Sequence, residues 1–154
     1  STEIERRVEL YYKPYYKAIT GLLEARKNEF GNALLWDAHS IRAHVPTIRE
    51  EPFPEMILGN VDETTADPIL IQTALNCLAE GYEVAHNHPF KGGFITRSFG
   101  NPKQHIHALQ LERNKNLYMD DAEVEYSEVR ANEMELVLRK TLEELIQQVL
   151  KLPK

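Results

Sequence analysis

The chain has 154 residues, which is the size of one ordinary domain, and we predict a single domain over residues 1–154. Hydrophobic residues make up 42% and charged residues 27%, which excludes compositions typical of disordered, collagen-like or coiled-coil chains. With 18 Lys and Arg against 24 Asp and Glu, the formal charge is -6. An acidic chain without a long basic run is a poor match for a phosphate backbone, so nucleic acid is not an expected partner.

Two further classes are disfavoured by single features of the sequence. No run approaches the length of about 18 apolar residues that a membrane span needs, and the segment 1–7 is polar and charged, so we expect a cytoplasmic protein without a membrane partner. Cys77 is the only cysteine, which excludes an internal disulfide and a cysteine-based zinc cluster. A bound metal would therefore need His and carboxylate ligands.

The chain opens with a pattern typical of an amphipathic helix. Thr2 and Glu5 have the spacing of a capping box, and Pro14 predicts either a kink or a second helix that begins near it. Gly31 marks the expected end of this region. The apolar residues that recur at helical spacing are Ile4, Val8, Tyr11, Tyr15, Ile19 and Leu22.

A short buried strand is predicted next, over 33–36, because four apolar residues lie between Gly31 and Asp37. Residues 37–54 contain three prolines and several charges, which predicts a loop. A second short strand is expected over 55–59. Pro68–Leu78 is apolar at helical spacing, with Asp67 as its cap and Pro68 in the first helical position.

The second half continues the alternation of strands and helices. We predict a strand over 82–85, a glycine-rich loop over 86–100, a strand over 106–111 and a long helix over 126–150. Strands that alternate with helices indicate α/β layers. The apolar stripe expected to bury the last helix consists of Met134, Leu138, Leu142, Leu145 and Val149.

The first group of candidate functional residues follows the predicted strand 33–36. Asp37 and His39 are two residues apart, so they share a face in an extended chain. Open α/β sheets bind ligands at the carboxyl ends of their strands. One of the two residues can bind a metal while the other orients it. Alternatively, Asp37 caps a turn and His39 is an ordinary polar residue, and the segment 37–40 alone does not choose between these interpretations.

The second group lies at the end of the predicted strand 106–111. Alternation places Gln110 and Glu112 on one face and His107 on the other. Because Glu112 ends an apolar strand, partial burial is expected to raise its pKa toward a value that suits a general base. His107 lies roughly 16 Å from Glu112 along the strand, with opposite parity, so the two cannot bind one ion. We interpret His107 as structural.

The third group lies in the loop 86–100. Gly92 and Gly93 allow backbone amides to approach a ligand closely, and basic side chains add positive charge. The guanidinium of Arg97 suits a carboxylate because its fork bonds both oxygens, and Arg42 is a less specific candidate of the same kind. The loop is therefore either a binding site for a small anion or a solvated basic segment.

In order, these segments resemble the carboxyl-terminal part of the N-formylglutamate amidohydrolase family, also called N-formylglutamate deformylase. The resemblance covers nearly the whole chain, and four separated motifs in order are more specific than one. The matching segments are Tyr12-x-Pro14-Tyr15, then Leu35-Trp36-Asp37-Ala38-His39-Ser40-Ile41-Arg42, then Asn87-x-Pro89-Phe90-Lys91-Gly92-Gly93-x-Ile95-Thr96-Arg97, and His107-Ala108-x-Gln110-x-Glu112 with Tyr118-Met119-Asp120.

The resemblance implies a three-layer α/β/α fold of the zinc-carboxypeptidase, or phosphorylase/hydrolase-like, kind. It also implies hydrolysis of N-formyl-L-glutamate to formate and L-glutamate at the end of histidine degradation. By similarity, His39 is a zinc ligand with Asp37 behind it. Glu112 is then the base that takes a proton from water and passes it to the departing amine. The substrate-binding residues implied by the resemblance are Arg97, Arg42, Asn87, Gly92 and Gly93.

The metal site implied by the resemblance is incomplete in this sequence. Members of the family have further zinc ligands, a His-x-Gly segment and an acidic residue, upstream of anything that corresponds to Ser1. A catalytic zinc normally has three protein ligands, so His39 alone is not enough. We expect a part of a longer enzyme that forms only the second half of the full domain. A shortened inactive relative, or one that recruits His86, His88 or His107, is the alternative.

Two other functions are compatible with the same residues. A related metal-dependent deacylase of another N-acyl amino acid has the same motifs, because small differences in pocket volume decide the acyl group. A non-enzymatic relative that binds an acidic amino acid through the loop 86–100 is the other. The expected partners are a small-molecule substrate and, to cover an open sheet edge, a second copy of the chain or a complementing amino-terminal segment.

Overall fold

The computed structural model describes residues 2–154, and its chain begins as one long helical arm. Helix α1 (Thr2–Arg7) runs into a single π-helical segment, Val8–Tyr12, and then into α2 (Lys13–Phe30). The π segment lies just ahead of Pro14, whose ring would clash with the carbonyl four residues earlier in a regular helix. The predicted interruption at Pro14 therefore takes the form of a widened turn. At Gly31, φ is 92° and the helix ends as predicted.

One open sheet contains four strands, β1 (Ala33–Ile41), β2 (Met56–Gly59), β3 (Val84–His86) and β4 (Ile106–Asn114). Their order in the sheet is β1-β4-β2-β3, with β1 at one edge. β1 and β4 are parallel, β2 and β3 are parallel, and β4 runs antiparallel to β2. The two halves of the sheet therefore point in opposite directions and meet between β4 and β2.

Strands β1 and β4 are longer than the predicted 33–36 and 106–111. Residues 37–41 pair in register with 110–114, so polar side chains lie within the strands instead of in a loop after them. The expected loop 37–54 begins only at Arg42. Pairing with a neighbouring strand, which the apolar pattern does not reveal, supplies the hydrogen bonds that extend each strand. As an edge strand, β1 is also only partly buried instead of fully buried.

The remaining helices follow the predictions more closely. Helix α3 spans Pro68–Leu78, and the Asp67 carboxylate accepts a hydrogen bond from Ile69 N at 2.9 Å, as expected of its cap. Helix α5 spans Glu128–Lys151. One helix was not predicted, because α4 (Phe94–Phe99) lies inside the expected loop 86–100. Glycines at both of its ends hid a helix of less than two turns.

The helices cover both faces of the sheet, which confirms the α/β/α arrangement. Helices α3 and α5 bury one face, and α2 with α4 covers β1 and β4 on the other. Alternation along β1 separates the two faces, since Leu34 and Trp36 join the larger core and Ala33 and Leu35 the smaller one. The largest fully buried apolar residues are Met56, Ile57, Leu58, Leu70, Leu78, Leu109, Leu111 and Leu145.

The Cys77 thiol is free and buried within α3. Among the helices of residues 2–154, none combines the length and the apolar character that crossing a bilayer requires.

Candidate active site

The site is built on neighbouring residues of β1 and β4. His39 lies beside Glu112 in the register of these parallel strands, and Asp37 lies beside Gln110. Paired residues on adjacent strands point to the same side, so all four side chains lie on the face that α2 and α4 cover further along the sheet. The sequence shows Asp37 near His39 on one strand and Gln110 near Glu112 on another. Only the register between β1 and β4 shows that the four side chains are neighbours.

The imidazole of His39 is oriented by its neighbour on the same strand. His39 Nε2 lies 2.9 Å from Asp37 Oδ1, while 44% of the His39 side chain remains exposed. Asp37 Oδ2 is buried, and no group among residues 2–154 forms a hydrogen bond with it. An unpaired buried carboxylate oxygen is costly, so this atom is a point where a bound group would gain a contact.

Glu112 has the environment expected of a general base. Its side chain is only 8% exposed, and this burial raises the pKa of the Glu112 carboxyl, against the opposing effect of His39 and Arg113. A carboxyl group with a raised pKa accepts a proton more readily near neutral pH than an ordinary exposed one. Burial was predicted for this residue, although it lies within β4 rather than at its end.

The loop after β3 is held in place by two asparagines. Asn87 has a positive φ of 55°, its Oδ1 accepts from Asn60 N at 2.9 Å, and its Nδ2 donates to Asn60 Oδ1 at 2.7 Å. Asn tolerates this left-handed conformation better than most residues. Asn60 is fully buried, so the pair forms a fixed support. The structure therefore places Asn87 beneath the loop, where it supports the cleft.

The loop 86–93 lies close against the sheet because Gly59 has no side chain. Gly59 pairs with Gln110, and a Cβ at Gly59 would lie 2.8 Å from Gly92 N, so any other residue would push the loop away. Val61 N donates to Lys91 O at 2.6 Å and fixes the same segment. Gly92 has a φ of 120°, a conformation that residues with a side chain rarely adopt. This geometry brings the two predicted glycines over the centre of the sheet.

Arg97 completes the arrangement from α4. Helix α4 begins after Gly93, and the exposed Arg97 guanidinium donates through Nη1 to Gly92 O at 2.9 Å. An open cleft of about 360 Å³ results. Larger grooves exist elsewhere on the surface, but they contain none of the predicted catalytic residues. The residues that line the cleft are His39, Pro89, Phe90, Lys91, Gly92, Gly93, Arg97, Gln110 and Glu112.

Some candidate residues lie outside this cleft. The Arg42 guanidinium pairs with Glu123, with Nε 2.7 Å from Oε2, and does not line the cleft. His107 is buried on the opposite face, where its Nδ1 accepts from Asp67 N at 3.2 Å. The imidazole of His86 is engaged by the side chain of Asn60.

The described residues do not form a complete metal site by themselves. Within residues 2–154 no group of three His, Cys, Asp or Glu side chains converges as metal ligands would. His39 offers one imidazole at the cleft, next to the unpaired Asp37 oxygen. The donors present therefore fit one side of a zinc site and not a whole one, since catalytic zinc usually has three protein ligands.

Gln110 is the cleft residue that was not singled out from the sequence. It is 5% exposed, and its Oε1 accepts from Gly93 N at 2.6 Å, which ties the loop to β4. Alternation along the strand already placed it on the same face as Glu112. Its contact with the loop depends on two tertiary features, namely the pairing of Gln110 with Gly59 and the path of the loop over the sheet.

Comparison with known proteins identifies the family. The model of the N-formylglutamate amidohydrolase family matches residues 1–119, which include every residue of the cleft. The chain belongs to this family. N-formylglutamate deformylase of Pseudomonas putida is 39% identical over 147 residues, and that of Pseudomonas aeruginosa is 44% identical over 138 residues.

The lengths of these amidohydrolases differ from that of this chain. The alignments cover 94% and 88% of this chain but only 55% and 52% of the two deformylases, so the chain spans about half the length of the curated relatives it matches. A crystal structure of N-formylglutamate amidohydrolase from Ralstonia eutropha JMP134 is 30% identical with a TM-score of 0.81, over 95% of this chain and 54% of that one. A protein from Agrobacterium tumefaciens, 16% identical with a TM-score of 0.61 over 94% of this chain and 56% of that one, shares the fold.

Proposed function

We propose that this amidohydrolase chain takes part in the hydrolysis of N-formyl-L-glutamate to formate and L-glutamate. The observation that carries the proposal is the convergence of His39, Glu112 and Arg97 on one cleft, from three separate elements. The deformylase names of the two Pseudomonas relatives support the choice of substrate.

Each cleft residue has a distinct task in this reaction. Glu112, whose pKa is raised by burial, takes the proton of the attacking water and passes it to the departing amine. Arg97 binds a carboxylate of the substrate, which a chain with a formal charge of -6 would otherwise repel. The glycine loop closes the cleft opposite the sheet and leaves backbone close to the bound molecule.

The proposal includes a divalent metal ion, for which zinc is our candidate. His39 would be one of its ligands, oriented by Asp37, and the other ligands would come from outside the residues described. When bound, such an ion supplies Lewis-acid chemistry, since it lowers the pKa of water and polarises an acyl oxygen. The chain's own contribution is the base and the substrate-binding groups.

The test measures formate release from N-formyl-L-glutamate by a chimera in which this chain replaces the matching part of the Pseudomonas aeruginosa deformylase. The two are 44% identical, so the replacement preserves most contacts. We expect turnover in the chimera and a fall of kcat by about 100-fold or more in Glu112→Gln, with an unchanged melting temperature. The Gln side chain keeps the volume of Glu and removes only the base.

Three outcomes decide the proposal. Turnover by Glu112→Gln at the rate of the unmodified chimera would exclude Glu112 as the base. A chimera that folds but never releases formate would exclude the reaction itself. Formate release by the isolated chain with added zinc would show that residues 2–154 hold a complete metal site. The proposal that the other metal ligands lie outside these residues would then be wrong.

A further inference from the structure

One peptide unit in the cleft is bonded from both sides. The carbonyl of the Gly92–Gly93 peptide accepts from Arg97 Nη1 at 2.9 Å, and its N–H donates to Gln110 Oε1 at 2.6 Å. In a trans peptide these two groups point in opposite directions. The Arg97 guanidinium and the Gln110 amide therefore lie on opposite sides of the same glycine pair, each joined to it by one hydrogen bond.

The orientation of the Gln110 amide follows from its partner. Since Gly93 N–H is a donor, the atom facing it must be the amide oxygen, and the amide nitrogen must point elsewhere. Within residues 2–154, no acceptor bonds Gln110 Nε2, yet this atom is not sealed away from the surface. Gln110 also lines the cleft. Its two N–H donors are thus available to a bound molecule.

Resting on the proposed function, we infer that Gln110 binds the α-carboxylate of the substrate while Arg97 binds the side-chain carboxylate. The carboxyl carbons of glutamate are separated by four bonds, or roughly 5 Å in an extended conformation, so one substrate molecule is long enough to contact a group on each side of the glycine pair. Gln110 also lies two residues from Glu112 on the same face of β4. It therefore reaches the end of the substrate that carries the acyl group.

Two binding groups on opposite sides of the glycine pair let an open cleft select dicarboxylates. A single basic residue would bind any small anion, whereas two donors at a fixed spacing require two oxygens at the matching spacing. The rigid glycine pair sets that spacing, because Gly59 and Val61 hold the loop from below. Gln110 is then a binding residue with a second task, the support of the loop.

Equilibrium titrations of the chimera described above with L-glutamate and L-glutamine separate the two carboxylates. Gln110→Glu keeps an acceptor for Gly93 N–H but replaces the donor to the ligand with an anionic oxygen. We expect it to weaken both ligands by about 10-fold or more, with an unchanged melting temperature. Arg97→Ala, the matched control, should weaken only glutamate, because glutamine has no side-chain carboxylate.

Each result has one meaning. If the Gln110→Glu chimera binds both ligands as the unmodified chimera does, Gln110 only supports the loop and the inference fails, while a loss of glutamate binding in Arg97→Ala still supports the proposed substrate. If Gln110→Glu weakens the binding of glutamate alone, the two carboxylates are assigned to the wrong residues. If the unmodified chimera binds neither ligand, the proposed substrate is wrong as well. If the melting temperature of Gln110→Glu is lower than that of the unmodified protein, the titrations use Gln110→Met instead, because Met has a similar volume and no charge. We expect Gln110→Met to weaken the binding of both ligands to the same extent.

Discussion

At the scale of single residues, the structure separates histidines that the sequence left similar. His39 is partly exposed at the cleft, whereas His107 is 2% exposed beneath α3. The Nδ1 atom of His107 accepts from Asp67 N, so this imidazole is held in its neutral form with the proton on Nε2. The sequence predicted a structural role for His107 because it alternates with Glu112 and faces the other side of β4, and this placement agrees with that prediction.

The burial of His107 predicts a pH dependence of stability. Burial lowers the pKa of His107, with the Asp67 carboxylate opposing the shift and His105 adding to it. As the pH falls below the ordinary value of 6.5, the unfolded chain takes up a proton that the folded chain resists, so the free energy of unfolding decreases. The slope attributable to this residue is at most about 1.4 kcal/mol per pH unit.

Chemical denaturation of the chain and of His107→Gln at several pH values measures this effect. Gln retains a hydrogen-bonding group and cannot titrate, so the difference between the two stability curves isolates His107 from the other histidines. We expect the free energy of unfolding of the unmodified chain to fall relative to that of His107→Gln as the pH falls below 6.5. Curves that stay parallel from neutral to acidic pH would show that His107 does not resist protonation.

The residues of the cleft differ in how far the sequence revealed them. Glu112, His39 and Arg97 were recognisable from residue type and motif order, and the structure brings these three together. Gln110 was visible only as a residue of the same parity as Glu112. The task of Asn87 was hidden because its partner, Asn60, is 27 residues away in the chain.

At the scale of secondary structure, helix α3 followed local signals almost completely. Asp67 followed by an apolar helical pattern of eleven residues that starts with Pro68 predicted its start and its end. The extra length of β1 and β4 was not predictable in this way, since the added residues are polar and are ordered by pairing across strands. Helix α4 is too short to produce a periodic pattern of its own.

The Asp67 cap provides a test of these local signals. Asp67→Ala removes the acceptor for Ile69 N–H and should lower the free energy of unfolding by about 1 kcal/mol, within a range of roughly 0.5–2. Urea denaturation measures the change. Asp67→Asn keeps a capping oxygen and should lose much less, so equal losses in both variants would assign the effect to the charge of Asp67 instead of the cap.

At the scale of the whole molecule, the described residues leave the outer edge of the long strand β1 unpaired. Within residues 2–154, no strand pairs with the outer edge of β1, although nine residues of β1 are extended there. An apolar groove runs beside it between β1 and α5. Exposed strand edges and apolar grooves favour association with another chain. Three exposed side chains of α5 line this groove, namely Leu142, Ile146 and Leu150.

We expect the isolated chain to self-associate through this edge. Sedimentation velocity should show a mean mass above that of the monomer that rises with concentration, and Ile146→Glu should shift it toward the monomer. Ile146 is 54% exposed within the groove. Leu136→Glu is the matched control, because Leu136 is 68% exposed on the same helix but outside the groove. Equal effects of the two substitutions would place the contact elsewhere.

Local patterns in the sequence predicted the alternation of strands and helices and the cap of α3, because both depend on residue type and on spacing within a few residues. The catalytic candidates came from the resemblance of four ordered motifs to the amidohydrolase family. The register that sets His39 beside Glu112 and the packing of the glycine loop against Gly59 are visible only in the tertiary structure. Contacts between residues far apart in the chain depend on packing and on strand pairing, and one sequence carries no local pattern for them.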